Sequence, residues 1–527
     1  MALNTTMGAI CAPSTFTAPR VFGTETLQIH AALVQGFTMH SDTSFRFTHP
    51  PITAQDLSFC NVTVAYTHPG TDDVVRVEVW LPATGWNSRL YAVGGGGFAP
   101  GRFYLSRGTM AGALAEGYAT VTTDAGMGYD ASPADPGSWA LSSPGNVNLN
   151  LLQNFGSTSL NEQAIIAKSL VHDFYGQAPD YSYWNGCSQG GRQGLVLAQR
   201  YPDAYDGILA GATAPNMPQT MPYFYWPQQV MNELGEYPPA CEIDAIVQAS
   251  TAHCDSLDGV EDGLISDMDA CLDSFDPFSQ VGRVIECDTF GDERPISSAS
   301  ATVVNASWFG LTTEVGQRLF HGHNPGTVLT HNSAGVPLLA GTACSSDGTC
   351  TGVANPLGTS WIRYFLAKDP DFDYTDMTRD DFVRLVRQGI REMGSLVDAD
   401  DADLSALRDV GGKLITWHGL SDELISSRST RAYYNDVSNL FPDISSFYKH
   451  YEIPGLGHCA GGAGGSPTAM FEQLRAWVEE GVAPEDSPVS YQIGGTTWNR
   501  VVCPYPGRAV VKEGCGDEKA AECWRCV

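Results

Sequence analysis

The chain is short of positive charge: 29 Lys and Arg stand against 59 Asp and Glu, a formal net charge of −30 over 527 residues. A surface of that sign repels nucleic acid phosphates and anionic headgroups, so no nucleic acid and no membrane is expected as a partner. Long apolar runs are missing too, and none approaches the roughly 18 residues of a membrane-spanning helix. Met1 to Cys11 has neither the basic nor the apolar segment of a secretion signal, so a signal peptide is expected to have been removed or replaced. There is no repeat and no low-complexity tract, and Cys523-Trp-Arg-Cys526 has no second Cys-x-x-Cys to form a zinc site with. What is present is ordinary globular composition, long enough for two domains or for one fold with a large insertion.

Fourteen cysteines accompany sequons at Asn4, Asn61 and Asn305. Together they suit a disulfide-bonded, glycosylated, secreted (extracellular) protein. Cys11 and Cys60 are candidates to staple the N-terminal region, and Cys503, Cys515, Cys523 and Cys526 suggest two bridges near the C-terminus.

Chemistry concentrates in Trp184-Asn-Gly-Cys-Ser-Gln-Gly-Gly-Arg192, where Gly-x-Ser-x-Gly sits between a strand-like and a helix-like run. Such a turn presents a serine hydroxyl at the top of a sheet, with small residues avoiding backbone clashes. Cys187 immediately precedes Ser188, and far downstream Cys459 immediately follows His458. A Cys187–Cys459 disulfide brings its Cα atoms within about 4.4–6.8 Å, which places Ser188 beside His458. Between them, Gly411 to Asp422 reads as a buried strand and a loop carrying an acid, and the order Ser188, Asp422, His458 is that of α/β-hydrolases. His418 is the rival base, and Glu423 and Asp409 are rival acids. The oxyanion donors expected are the amides of Gln189 and of Gly95 and Gly96 in the run Gly94–Gly97, for which a flexible turn is the plain alternative.

The pattern around these motifs alternates strand and helix, as in a parallel sheet covered on both faces. Residues up to about 85 read as loop-rich, with strands near Val62–Tyr66 and Val74–Leu81. After 212 the character changes to Pro-rich, aromatic and acidic sequence, and a clean buried strand returns only near 411. The expected architecture is therefore an α/β-hydrolase fold (residues 1–212 and 411–527) with a large inserted lid domain (213–410). The cluster Tyr223, Phe224, Tyr225 and Trp226 reads as core packing, with the floor of a planar acyl pocket as the alternative. Asp398 to Asp403 reads as a solvated linker. The loop Cys254 to Leu264 gathers hard oxygen donors as Ca²⁺ requires, though not at EF-hand spacing, and a solvated acidic turn is its bland reading.

Gly94-Gly-Gly-Gly-Phe98, Gly186-Cys-Ser-Gln-Gly-Gly-Arg192, Cys254 to Gly263, His418-Gly-Leu-Ser-Asp422, Gly455-Leu-Gly-His-Cys459 and Cys503-Pro-Tyr-Pro506 span most of the chain. In this combination the sequence resembles the tannase and feruloyl esterase family of secreted, mainly fungal serine esterases. The resemblance implies a structural Ca²⁺ held by the side chains of Asp255, Asp258 and Asp262 and the carbonyls of Val260 and Leu264, with Cys254–Cys271 closing the loop. Cys241–Cys287 and Cys344–Cys350 are further candidate pairs. It implies a carboxylesterase acting on a small or polysaccharide-linked aromatic ester, most simply a feruloyl or hydroxycinnamoyl ester, as monomer or homodimer. Galloyl esters, as for a tannase, or another secondary-metabolite ester are the alternatives. No second Cys follows Cys287 closely, a departure from the family that bears on the lid pocket. Outside the esterases, a serine carboxypeptidase-like enzyme needs a site for a free carboxylate, and a non-catalytic binding protein on this scaffold would normally have lost a triad member.

Overall fold

The computed structural model describes residues 10–332 and 335–527, so the sequon at Asn4 lies outside the described residues. Its centre is a nine-stranded sheet. The strands are β1 (Glu25–Ser41), β2 (Ile52–Thr67), β3 (Val75–Pro82), β4 (Arg89–Val93), β5 (Ala119–Thr123), β6 (Tyr181–Cys187), β7 (Gly207–Gly211), β8 (Lys413–Gly419) and β9 (Tyr448–Ile453). They lie in the order β1-β2-β3-β5-β4-β6-β7-β8-β9. The first three strands and the β3–β5 pair run antiparallel; from β5 to β9 every pair is parallel. β5 and β7 are short runs buried at every position, as strands covered on both faces must be. Helices α1 (Tyr104–Ala115), α2 (Ser159–Tyr175) and α3 (Gln189–Arg200) connect them. The crossed order at β5-β4 and the mostly parallel sheet are those of an α/β-hydrolase.

β1 is the part of the sheet that the sequence reading missed, since it assigned loops there. The strand is 17 residues long but half-exposed on both faces and paired on one side only, so its side chains carry no strong alternation to read.

After β7 the chain leaves the sheet and returns only at β8. The intervening segment builds α4 (Met217–Tyr223), α5 (Trp226–Leu234), α6 (Ala240–Cys254), α7 (Ser298–Phe309) and α8 (Arg379–Val397). Their apolar faces close on a core that includes Trp226, Trp308, Trp361 and Phe382, and that is continuous with Phe98, Leu420 and Ile425 of the hydrolase loops. α8 starts with a capping box in which Thr378 and Asp381 satisfy each other's backbone N–H groups. The chain then adds α9 (Ser427–Leu440), α10 (Met470–Glu480) and the hairpin β10 (Ser487–Ile493) and β11 (Thr496–Val502). Among the described residues no helix is long and apolar enough to cross a membrane.

All fourteen cysteines are paired: Cys11–Cys60, Cys187–Cys459, Cys241–Cys287, Cys254–Cys271, Cys344–Cys350, Cys503–Cys526 and Cys515–Cys523.

The acidic run is not uniformly solvated, contrary to the sequence reading. The Oδ1 of Asp398 is buried without a hydrogen-bond partner, and burial, reinforced by the charge of Asp400, pushes its carboxyl up to about 7. A carboxyl raised in the folded state binds its proton more tightly there than in the unfolded chain. Its contribution to stability is complete below about pH 4 and is lost as the pH rises through about 7. Asp398→Asn removes the ionisation while keeping the shape. Thermal melts should find the variant more stable than wild type at pH 8, by on the order of 2 kcal/mol, with the gap closing at pH 4. Parallel melting curves across that range would rule this out.

Candidate active site

β6 ends at Cys187 and α3 begins at Gln189, and the single residue between them, Ser188, has φ 64° and ψ −123°. That left-handed turn is sparsely populated for a side chain with a Cβ, and here the surroundings enforce it. The Ser188 N–H donates to the Gly211 carbonyl at 3.0 Å on β7, and the Ser188 carbonyl accepts from Arg192 N–H at 2.9 Å in α3. The glycines around it allow close approach: a Cβ on Gly186 would sit 2.6 Å from the Gly190 backbone, and one on Gly94 would sit 2.5 Å from the Gly190 Cα.

His458 lies in the loop after β9 and Asp422 in the loop after β8. The Nδ1 of His458 is 2.9 Å from Oδ2 and 3.1 Å from Oδ1 of Asp422. The backbone N–H groups of Leu424 and Ile425 also donate to Asp422 Oδ1, at 2.9 and 2.8 Å. Burial alone would raise the Asp422 carboxyl; the charge of His458 and the donors of His418 and His458 outweigh it and hold the carboxyl well below the usual range. Conversely, burial would lower His458, but Asp422, aided by Glu423, raises it. The rival acid Glu423 accepts the His458 backbone N–H at 2.9 Å, and burial followed by the Asp422 charge raises its carboxyl. The third acid considered, Asp409, is exposed and paired with Arg408.

Ser188 and His458 line one cavity, and the Cys187–Cys459 disulfide ties their neighbours at a Cα separation of 5.9 Å. Among the described residues neither Ser188 Oγ nor His458 Nε2 makes a hydrogen bond, so both face an incoming substrate; catalytic hydrogen bonds often tighten only once substrate is in place. The apolar part of the wall includes Ala214, Met217, Met221, Phe224, Leu357 and Ile425, and Thr220 and Arg192 also line it, around a free volume of about 30 Å³. Of the aromatic cluster at 223–226 only Phe224 reaches this wall; Tyr223, Tyr225 and Trp226 are buried lid core.

Two of the three expected oxyanion donors are already engaged. Gly95 N–H donates to Gln193 Oε1 at 2.9 Å and Gly96 N–H to the Ala99 carbonyl at 3.0 Å. The glycine run nevertheless reaches the site one residue later: Gly97, at φ 54°, lines the cavity, and among the described residues its N–H and that of Gln189 have no partner. Sequence could not distinguish four consecutive glycines; the hairpin that closes Gly96 on Ala99 does. The Gln189 side chain is held from behind by Arg192, whose Nε donates to Oε1 at 2.8 Å. The other nitrogens of Arg192 donate to the carbonyls of Phe155, Gly156 and Val397. Burial pushes this guanidinium down to about 9.

The acidic loop lies outside the cavity wall. Asp255 Oδ1 accepts the N–H groups of Asp262 and Gly263, Asp258 Oδ1 that of Val260, and Asp262 Oδ1 that of Leu264. Asp258 Oδ2, at 3.1 Å, and Asp262 Oδ2 both face the Arg500 guanidinium on β11, which also stacks over Trp524. Val260 and Leu264 pack on Tyr491, Trp498 and Trp524, fixing their backbone. In chemistry and charge the donor set fits a hard divalent cation. Three carboxylates gather where only Asp258 and Asp262 meet a guanidinium, and Asp255 is raised first by burial and then by the Asp262 and Asp258 charges. As placed, the carboxylates turn toward Arg500, and among the described residues no three His, Cys, Asp or Glu side chains form a metal-holding cluster. A larger cavity of about 340 Å³ lies beside this loop, away from Ser188. Its arginines are paired internally: Arg431 with Glu452 and Asp269, Arg500 as above, and Arg508 with Asp267.

Of the described sequons, Asn305 is exposed, whereas Asn61 is inside the sheet region with its Nδ2 donating to Glu78 and its Oδ1 buried.

The family described as "Tannase and feruloyl esterase" matches residues 60–527. The chain is 39% identical to a probable feruloyl esterase of Arthroderma benhamiae, over 89% of this chain and 86% of the relative. It is 31% identical to a tannase of Aspergillus oryzae, over 88% and 86%. The tannin acyl hydrolase of Aspergillus niger superposes with a TM-score of 0.85 at 27% identity, covering 99% of this chain and 94% of that one.

Proposed function

Because the chain belongs to the tannase and feruloyl esterase family, we propose that this carboxylic ester hydrolase cleaves esters of phenolic acids and takes hydroxycinnamoyl groups of the feruloyl type in preference to galloyl groups. The observation that carries the preference is the wall beside Ser188, which is almost wholly apolar. A galloyl ring brings three hydroxyls that cost free energy when buried without partners. The wall offers Thr220, whose hydroxyl already donates to the Asn216 carbonyl, Arg192, whose nitrogens already donate to Gln189 and three carbonyls, and Gln189, whose Nε2 is buried without a partner. One free donor suits a ring with one or two oxygen substituents. An aromatic acyl group also needs more room than about 30 Å³, and the unbranched side chains of Met217 and Met221 are those most easily reshaped to give it.

In the mechanism proposed, Ser188 Oγ attacks the ester carbonyl while His458 Nε2 takes its proton. Asp422 holds Nδ1–H and stabilises the imidazolium. The N–H groups of Gln189 and Gly97 receive the oxyanion, where one donor is typically worth about 2.7–4 kcal/mol. Collapse expels the alcohol, which takes the proton from His458 and leaves an ester on Ser188. Water then attacks this ester with His458 as base, releasing the acid and restoring the hydroxyl.

Rates on methyl ferulate, methyl p-coumarate, methyl gallate and a plain acetyl ester test the substrate class. Ferulate should exceed gallate in kcat/KM by about tenfold or more, because stranded hydroxyls weaken transition-state binding. Preference for gallate would overturn the feruloyl reading in favour of a tannase.

The reading extends to a secreted glycoprotein, supported by seven disulfides and the exposed Asn305 sequon, and to a structural Ca²⁺. Asp255, Asp258 and Asp262 with the carbonyls of Val260 and Leu264 would hold the ion, which would supply charge neutralisation alone. Exhaustive chelation should release about one calcium per chain by elemental analysis and lower the melting temperature, since an ion at 100 times its Kd contributes about 2.7 kcal/mol. No metal released and an unchanged melt would mean that Arg500 alone balances the loop.

A further inference from the structure

Asp422 is held by two histidines, and only one of them belongs to the triad. His418, fully buried at the end of β8, places Nε2 3.1 Å from Asp422 Oδ2 and 3.1 Å from the Ile425 carbonyl. Its Nδ1 is 2.7 Å from Thr430 Oγ1, and Thr430 Oγ1 is 2.7 Å from Thr213 Oγ1. We propose that His418 is a positioning residue which, through Nε2–H, clamps Asp422 at the oxygen that also meets His458 and thereby sets the basicity of the triad. This rests on Ser188, His458 and Asp422 being the working triad.

The hydrogen positions follow from the partners. Nε2 faces two acceptors, a carboxylate oxygen and a carbonyl, so it must carry the hydrogen. Thr430 Oγ1, which meets Nδ1, also lies 2.7 Å from Thr213 Oγ1 and 3.3 Å from the Thr213 carbonyl. A network of hydrogen bonds thus runs from Thr213 through Thr430 and His418 to Asp422. Thr213 sits two residues beyond Gly211, whose carbonyl anchors the Ser188 N–H, and the Ala212 N–H donates to the Trp417 carbonyl beside His418. The acid and the nucleophile are therefore referenced to the same pair of neighbouring strands, β7 and β8.

The titratable groups around His418 are Asp422 on its own loop, His323 from the lid and His450 on β9, with Arg428 beyond His323. Burial lowers His323 to about 3 and also lowers His450, so both favour the uncharged imidazole. The negative charge His418 meets is that of Asp422, whose Oδ2 it shares with His458. Without the His418 donor that oxygen has one partner fewer, becomes more basic toward His458, and is free to rotate.

The experiment compares His418→Ala and His418→Gln with wild type, each normalised to the fraction of chains whose serine is labelled by a phosphonate ester probe. Gln keeps an amide N–H near the place of Nε2 but loses the Nδ1 contact with Thr430. The Ala variant should lose about ten- to hundredfold in kcat at nearly unchanged KM, as removing one hydrogen bond to a charged group would give. Its acidic limb in kcat/KM should move up by about half a unit. The Gln variant should recover most of both. A rate loss that disappears on normalising to labelled sites, an unmoved limb, or a Gln variant as impaired as Ala would each overturn the proposal. Should the Ala variant fail to fold, His418→Asn, too short to reach Asp422 Oδ2, takes its place with the same expected losses and the same overturning results. Failure to label wild type at Ser188 would instead sink the triad reading, and so the two failures stay distinct.

Discussion

Replacing Ser188 by Ala should lower kcat on the preferred aromatic ester by at least about 10⁴-fold while leaving the fold intact. The hydroxyl is the atom that bonds to the acyl carbon, and the other hydroxyl on the cavity wall, that of Thr220, already donates to the Asn216 carbonyl. Residual turnover would come from the Gln189 and Gly97 amides and from binding alone, which do not need the serine. The fold prediction has its own reason. Ala and Ser carry the same Cβ into φ 64°, so the strain of the elbow neither rises nor falls, and the hydroxyl engages no protein partner whose loss would be felt. Melting temperatures should agree within about one degree, which the initial rates and a thermal scan on the same preparation check together. An Ala variant with full activity would remove Ser188 from the chemistry, and with it the roles given to His458 and Asp422. An inactive and unfolded variant would contradict the local strain argument instead.

What the sequence made legible was what is local or covalently paired. The elbow declares itself because Gly186, Ser188 and Gly190 must be where they are for one turn to close, and Cys187 and Cys459 report a contact across 272 residues of separation. The parallel strands β6 and β8 read well because burial on both faces leaves no polar alternation to confuse them. Three things were not legible, each because the deciding partner lies far away in sequence. Gly97 rather than Gly95 or Gly96 is free because Gln193 and Ala99 occupy the other two amides. Asp398 is lifted to about 7 because the fold buries its carboxyl beside Asp400, while Asp401 and Asp403 in the same run stay exposed. Arg500 meets Asp258 and Asp262 only when the C-terminal hairpin folds back on the lid. His418 and His458 could be ranked but not assigned complementary parts, because both face the one carboxylate and only geometry shows which retains a free nitrogen toward the cavity.

The Cys187–Cys459 bridge should prove more than a staple. Replacing both cysteines by Ala opens a loop of 272 residues, for which chain entropy predicts about 5 kcal/mol of lost stability, at the upper end of what single disulfides give. Stability alone would not impair a protein that remains folded at 25 °C. Activity should nevertheless fall, because each sulfur is one residue from a reacting group: Cys187 fixes the start of the Ser188 turn, and Cys459, itself at φ 65°, fixes the end of the His458 loop. The His458 ring is otherwise anchored by Asp422, and its backbone N–H by Glu423, with nothing among the described residues holding the ring toward Ser188. A shift of about 1 Å between nucleophile and base is enough to cost about a hundredfold in rate. The double variant should therefore show kcat reduced by roughly that factor at 25 °C, well below its lowered melting point, with KM little changed since the acyl wall belongs to the lid. Dithiothreitol should reproduce this slowly, for the cysteines are 4% and 9% exposed and the bridge opens to reductant only as the loop does. Full kcat in a double variant with a depressed melting temperature would assign the bridge to stability alone, and would leave the Ser188 to His458 distance to the sheet.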